Sequence, residues 1–271
     1  MKTKQNLMKV FGYAFLIIWT IISLFPFYWL IVGSTNKSVE VSKGTLAIGG
    51  HLKENLSNLV QQYDIWHVFS NTIMITVIFS ILCLLVCSLA AYGFSKFSSK
   101  GKRVIFALFL LTMMIPFAAQ MIPLYRLMSK LSLNDSCAAI ILQGLVSVFL
   151  IFFLSQSFTS FPDEIIEAAR IDGASEPSIF FRIVLPAMKS TMAAGVIYAF
   201  MNQWNNYMWP LIILQTNEKK TLTLMISSMA NGYYIDYGAL TLAILIATLP
   251  MIVIFLTLQK QFVQGMTGSY R

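Results

Sequence analysis

Charge is what this sequence has least of. Only 11% of its residues are Asp, Glu, Lys or Arg, against the roughly 25% of an ordinary soluble domain. The chain is long enough for a sizeable soluble core but has too little polar surface to cover one. With 57% hydrophobic residues and a mean hydropathy of +0.72, the solvent that suits it is a bilayer. Cysteine is scarce too. Cys83, Cys87 and Cys137 are an odd number at spacings that fit no zinc site, which excludes a disulfide framework and leaves them as small packing residues. The two histidines, His51 and His67, fall in one polar connection, so no histidine metal centre is in prospect. No G-x-x-x-x-G-K-[ST] loop occurs, so the chain does not bind ATP by that route. No nucleophile is paired with a base. Catalytic residues and metal ligands are both expected to be none, and the chain is not expected to be an enzyme.

What is present is a series of long apolar windows. A membrane-spanning helix needs about 20 apolar residues. Six windows qualify, near 10–33, 68–94, 104–125, 137–158, 191–215 and 239–259, and none contains Asp, Glu, Lys or Arg. The first follows Lys2, Lys4 and Lys9 as a signal peptide would, but its apolar run is too long for such a peptide, so it reads as an uncleaved first span. The net charge of +8 does not argue for nucleic acid, because the basic residues are spread over the ends of the windows. They carry topology instead. With the N-terminus inside, the inner connections hold twelve of the 19 lysines and arginines, among them the cluster Lys96, Lys100, Lys102 and Arg103. That bias places both termini on the cytoplasmic side.

Aromatic residues gather near the expected outer ends: Tyr28 and Trp29, Trp66, Trp204, Tyr207 and Trp209, and Tyr233, Tyr234 and Tyr237. Tyr and Trp favour the membrane interface, although packing explains any one of them equally well. The longest outer connection, 34–70, contains a stretch from Asn55 to His67 that reads as a short amphipathic helix at the surface. The expected organisation is a first span and outer loop over 1–67, then a transmembrane core over 68–271.

Inside the windows the strongly polar groups are neutral amides, among them Gln120, Gln143, Asn202, Gln203, Asn205 and Asn206. Ion-coupled carriers keep ionisable groups within the membrane, so a proton- or sodium-coupled mechanism is disfavoured. The amides either line a path for an uncharged solute such as a sugar or bond to neighbouring helices.

One connection stands apart. Residues 162–189 hold five of the chain's eleven acidic residues. Pro162 suits a helix start, Asp163 and Glu164 sit at the positive end of its dipole, and Gly173 supplies a left-handed exit. Ser175 is placed to cap a second helix starting at Pro177 and running toward Pro186. Ala168 and Ala169 would give the first helix a flat face for close approach of another surface. Spacing alone leaves open whether this is a docking element or a helix resting on the membrane.

The order of residues goes further. Glu167-Ala168-Ala169, then Asp172-Gly173-Ala174, then Ile183 and Leu185-Pro186 resemble the EAA loop of ABC importer permeases. Asn71-Thr72, the run from Ser88 to Phe94, Met113-Met114-Ile115-Pro116, Ile122-Pro123-Leu124-Tyr125, Trp204-Asn205-Asn206-Tyr207 with Pro210, and Gln261 to Thr267 are similar to elements of the MalG-like branch, which takes up carbohydrates. Asn206 stands where that branch commonly has an acid. The resemblance covers about 55–271.

The resemblance implies an all-α membrane protein of six transmembrane helices in the bacterial cytoplasmic (inner) membrane. It implies a permease subunit for sugars, oligosaccharides foremost. Its partners would be a second, MalF-like permease, two ATPase subunits and an extracellular or periplasmic solute-binding protein. ATP and magnesium would be bound by the ATPases, leaving this chain without a cofactor. Carried over to these positions, Glu167, Ala168, Ala169, Asp172 and Gly173 would couple to the ATPases, with Arg170 added from its spacing and expected exposure. Gln261, Phe262, Gln264 and Gly265 would form a tail reaching between the ATPases. Gln120, Asn202, Asn205 and Asn206 are the candidates for the solute path. The alternatives are an ABC permease for another solute, such as a glycerophosphodiester, a polyamine or an opine, and, in another class, a secondary carrier or membrane scaffold that needs no ATPase.

Overall fold

The computed structural model describes the backbone of residues 2–267 and the side chains of residues 6 and 9–260. Among the described residues every regular element is helical. In chain order they are α1 (Lys2–Thr35), α2 (Ser38–Ser42), α3 (Leu52–Gln62), α4 (Ile65–Lys96), α5 (Lys102–Thr112), α6 (Phe117–Lys130), α7 (Cys137–Gly144), α8 (Val148–Thr159), α9 (Asp163–Ile171) and α10 (Glu176–Ile179). A π turn over Phe180–Val184 follows, then α11 (Leu185–Ala187), α12 (Lys189–Trp204), α13 (Met208–Ile213), α14 (Leu222–Ala230) and α15 (Tyr237–Thr267). Three helices are long and apolar enough to cross a membrane: Lys9–Thr35 of α1, the whole of α4, and Tyr237–Lys260 of α15. Three bent pairs pass the same test, which makes up to six spans if each pair is one.

The windows 104–125 and 137–158 are therefore not straight helices, and 191–215 is interrupted between α12 and α13. Between α5 and α6 the chain turns by 101°. Pro116 there has an extended backbone, ψ 140°, and with no N–H it cannot continue the preceding helix. α7 and α8 meet at 45°, where Ser147 starts the second helix by accepting a hydrogen bond from the Leu150 N–H at 3.3 Å. The third bend, 87°, falls at Met188 between α11 and α12, and the sixteen-residue α12 ends at Trp204 before a second short gap.

The described residues form two compact units, 2–66 with 225–249 and 67–224 with 250–267. In the first, side-chain amides hold loop backbone in place. Asn55 is 3% exposed and donates to the carbonyls of Ser34 (2.8 Å) and Asn36 (2.9 Å). Asp236 caps the start of α15, its Oδ1 accepting from the Gly238 and Ala239 N–H groups, while Oδ2 accepts from the Asn58 amide. The expected helix over 55–67 is thus α3, three residues earlier at its start. It stops at Gln62, and His67 belongs to the long α4.

The second unit has two apolar clusters. One gathers Phe79, Cys83, Cys87 and Tyr92 of α4 with Leu150, Leu154 and Phe158 of α8, Ile166 and Ala169 of α9, and Ile179 and Phe180. The other packs Ile75 with Met128, Ile140, Trp209 and Ile213. Trp209 is fully buried and its indole N–H donates to the Ala139 carbonyl at 3.0 Å. Trp204 is 3% exposed. These two tryptophans are packing residues, not interface anchors, whereas Tyr233 and Tyr234 are exposed.

Candidate functional site

The segment 162–189 folds largely as its sequence directs. Pro162, at φ −61° and ψ 127°, precedes α9, with Asp163 and Glu164 in the first turn and Arg170 in the last. Gly173 sits at φ +79°, a left-handed conformation that a Cβ disfavours. Around it the Ala174 N–H reaches the Ala169 carbonyl and the Gly173 N–H the Arg170 carbonyl, both at 3.0 Å, the paired closure of a Schellman motif. α10 then starts at Glu176, one residue before the expected Pro177, and the Ser175 side chain makes no capping hydrogen bond.

One expectation for this segment needs correction. Ala168 and Ala169 do not share a face: consecutive helical residues point about 100° apart, so Ala169 (8% exposed) is buried with Ile166 while Ala168 lies exposed. The accessible face instead carries Glu164, Ile165, Glu167, Ala168, Ile171 and Asp172, with Ile171 86% exposed. Arg170 is exposed, as expected, and it also makes contacts within the chain. Its Nε donates to Glu176 Oε1 at 2.6 Å, and its guanidinium carbon lies 5.8 Å from the centre of the Phe97 ring. Glu176 Oε2 also accepts from the Tyr92 hydroxyl at 3.1 Å. One turn along α4, Lys96 Nζ donates to the Phe161 carbonyl at 2.5 Å and to Asp163 Oδ1 at 2.6 Å.

A cavity of about 670 Å³ lies elsewhere in the same unit. All four path candidates, Gln120, Asn202, Asn205 and Asn206, line it, together with Gln143 and Gln203. None of its lining residues carries a charge. Three helix interruptions meet at its walls: Thr112 and Phe117 flank the α5–α6 turn, Gly144 and Val148 the α7–α8 break, and Asn205 and Met208 the gap before α13. Non-helical backbone at membrane depth is tolerated where it lines such a space. Part of the amide capacity is already used, since Asn205 donates to the Met201 carbonyl (2.9 Å) and Gln120 to the Ile115 carbonyl (3.1 Å). Sequence reasoning missed Thr112, Ser147 and Tyr207, which also line the cavity. Their signal was their place beside the turn and helix-break residues. The tail candidates Gln261, Phe262, Gln264 and Gly265 continue α15 in backbone, but their side chains lie outside the described residues.

The fold is shared with a solved transporter. The chain superimposes with a TM-score of 0.83 on a bacterial ABC transporter involved in the import of the acidic polysaccharide alginate, covering 96% of this chain and 98% of that one at 22% identity. The fold is that of an ABC importer permease. Residues 84–268 match the family of binding-protein-dependent transport system inner membrane components, and the chain belongs to that family. Among its relatives, the lactose transport system permease protein LacG of Rhizobium radiobacter is 42% identical over 99% of this chain and 98% of its own length. The sn-glycerol-3-phosphate transport system permease protein UgpE of Escherichia coli K12 is 30% identical over 97% of both chains.

Proposed function

We propose that this chain is the permease subunit of an ATP-driven importer for sugars, oligosaccharides foremost, and that it forms half of the translocation path. The observation that carries the proposal is the cavity itself, with six amide side chains and no charged residue on its wall. Amides offer both donors and acceptors, which suits the hydroxyls of a neutral sugar, and the likeness to LacG points the same way.

In this proposal the chain crosses the bacterial cytoplasmic membrane six times, the spans being α1, α4, α5 with α6, α7 with α8, α12 with α13, and α15, with both termini inside. The partners are a second permease, two ATPases carrying ATP and magnesium, and a solute-binding protein. The exposed face of α9 docks on an ATPase, with Glu167 available to a basic group there, and Gly173 sets the turn. The tail from Gln261 to Gly265 reaches toward the ATPases. Closure of the ATPases around ATP favours one of two arrangements of the spans, which is alternating access driven by differential stabilisation.

The test is uptake in membrane vesicles or cells carrying the whole transporter. Gly173→Asp and Glu167→Lys are expected to abolish ATP-driven uptake while the protein still inserts. Normal uptake by both variants overturns the proposal. The likeness to UgpE favours a second cargo, a glycerol phosphate or its diester. Ligand binding by the partner solute receptor separates the two, because a phosphate needs cationic contacts that this cavity does not provide.

A further inference from the structure

The end of α4 touches the 162–189 segment at two points of different character. Tyr92 and Lys96 are four residues apart and so lie on one helix face. Lys96 grips the approach to α9, through the Phe161 carbonyl and Asp163. Tyr92 grips the start of α10. Its ring is 4% exposed and lies 5.2 Å from Phe180, 5.7 Å from Phe97 and 6.5 Å from Phe158, centre to centre. Its hydroxyl donates to Glu176, which in turn holds Arg170 of α9. One carboxylate therefore ties three helices: α4, α9 and α10.

We propose that the Tyr92 hydroxyl is a positioning group for energy transfer. It fastens the start of α10 to α4, so that a push on the exposed face of α9 moves α4 instead of rotating the segment on its socket. The proposal rests on the function given above, in which α9 docks on an ATPase. Apolar burial of Ile166, Ala169, Ile179 and Phe180 holds the segment against the bundle, but apolar packing is non-directional. Resistance to rotation needs a directional contact, and hydrogen bonds to a charged group are the strong ones available. The charge on Glu176 is shared with the Arg170 guanidinium, which makes the contact stiff at both ends.

The experiment uses the complete transporter reconstituted in liposomes, with uptake and ATP hydrolysis measured together. Tyr92→Phe keeps the ring and its packing and removes only the hydroxyl. Solute imported per ATP hydrolysed is expected to fall about tenfold or more, the size of one hydrogen bond to a charged group. Co-purification of the ATPases should stay unchanged. Glu176→Gln retains an acceptor for the hydroxyl and should keep more of the ratio than Glu176→Ala. Adding Tyr92→Phe to Glu176→Ala should lower the ratio no further. An unchanged ratio in Tyr92→Phe overturns the inference, and so does a double variant whose deficits multiply, since the two groups would then act apart. Absence of ATP-driven uptake from the unaltered transporter overturns the proposed function itself, and is told apart from the other failures because it needs no substitution.

Discussion

Asp135 and Lys219, 84 residues apart in sequence, close an ion pair at 3.0 Å, and the same lysine ammonium donates to the Asp135 carbonyl at 2.6 Å. The carboxylate also accepts from the backbone N–H groups of Gln215 (2.8 Å) and Thr216 (3.2 Å). The link between α6 and α7 is thereby tied to the chain after α13. Asp135 adopts φ +53° to do so, a conformation that Asp tolerates better than most residues.

These contacts make the tie sensitive to acid. The Gln215 N–H first, and then Lys219 and Thr216, hold the Asp135 carboxyl well below its ordinary value of 3.8. A carboxyl depressed in the folded protein stabilises it fully above that ordinary value and loses the effect as pH falls through the folded one. Thermal unfolding of the detergent-solubilised protein should therefore move to lower temperature as pH drops below about 4. That shift should be smaller in Asp135→Asn. Equal pH dependence in the two proteins would contradict the assignment.

Gly173→Ala tests the turn alone. A Cβ built there meets no atom within 4 Å, so no clash is added and the cost is that of a left-handed L-residue, about 1–2 kcal/mol. The expected result is normal insertion with a partial loss of uptake. A loss as complete as that expected of Gly173→Asp would mean that more than the turn is involved.

Two isoleucines of α9 should separate folding from docking. Ile166 is 2% exposed and Ile171 86%. Ile166→Ala should lower stability by about 2–5 kcal/mol, read as a drop in unfolding temperature. Ile171→Ala should leave that temperature unchanged but reduce co-purification of the ATPases. The reverse pattern would remove α9 as the docking face.

Asn202 faces the cavity and no charge is available to replace it. Asn202→Ala should raise the KM for uptake about fivefold, the value of one neutral hydrogen bond, with ATP hydrolysis by the resting transporter unchanged. An unaltered KM would place the solute elsewhere.

The sequence exposed some of this more readily than the rest. Apolar windows mark helices, and the Gly173 turn announces itself because few residues accept its backbone. The amides of the cavity were visible as neutral polar groups in those windows. The bends were not: Pro116 breaks its window sharply, yet Pro26, Pro123 and Pro250 lie inside continuous helices, so proline alone does not tell a kink from a turn. The Arg170 contact was illegible for another reason. Its partners are Glu176 on α10 and Phe97 just past the end of α4, and only the folded chain brings them together. The tryptophans misled because Trp packs in cores and at interfaces alike.

The long helix α4 also has a mechanical meaning. Its 32 residues span about 48 Å at 1.5 Å per residue, while the hydrocarbon layer is about 30 Å thick. Even strongly tilted, the helix overhangs the bilayer. Tyr92 and Lys96 occupy its final turns, and in the proposed transport cycle they make the helix a lever arm: a displacement of the attached segment is passed to the shaft as a rotation, and the length of the stalk sets the gear ratio.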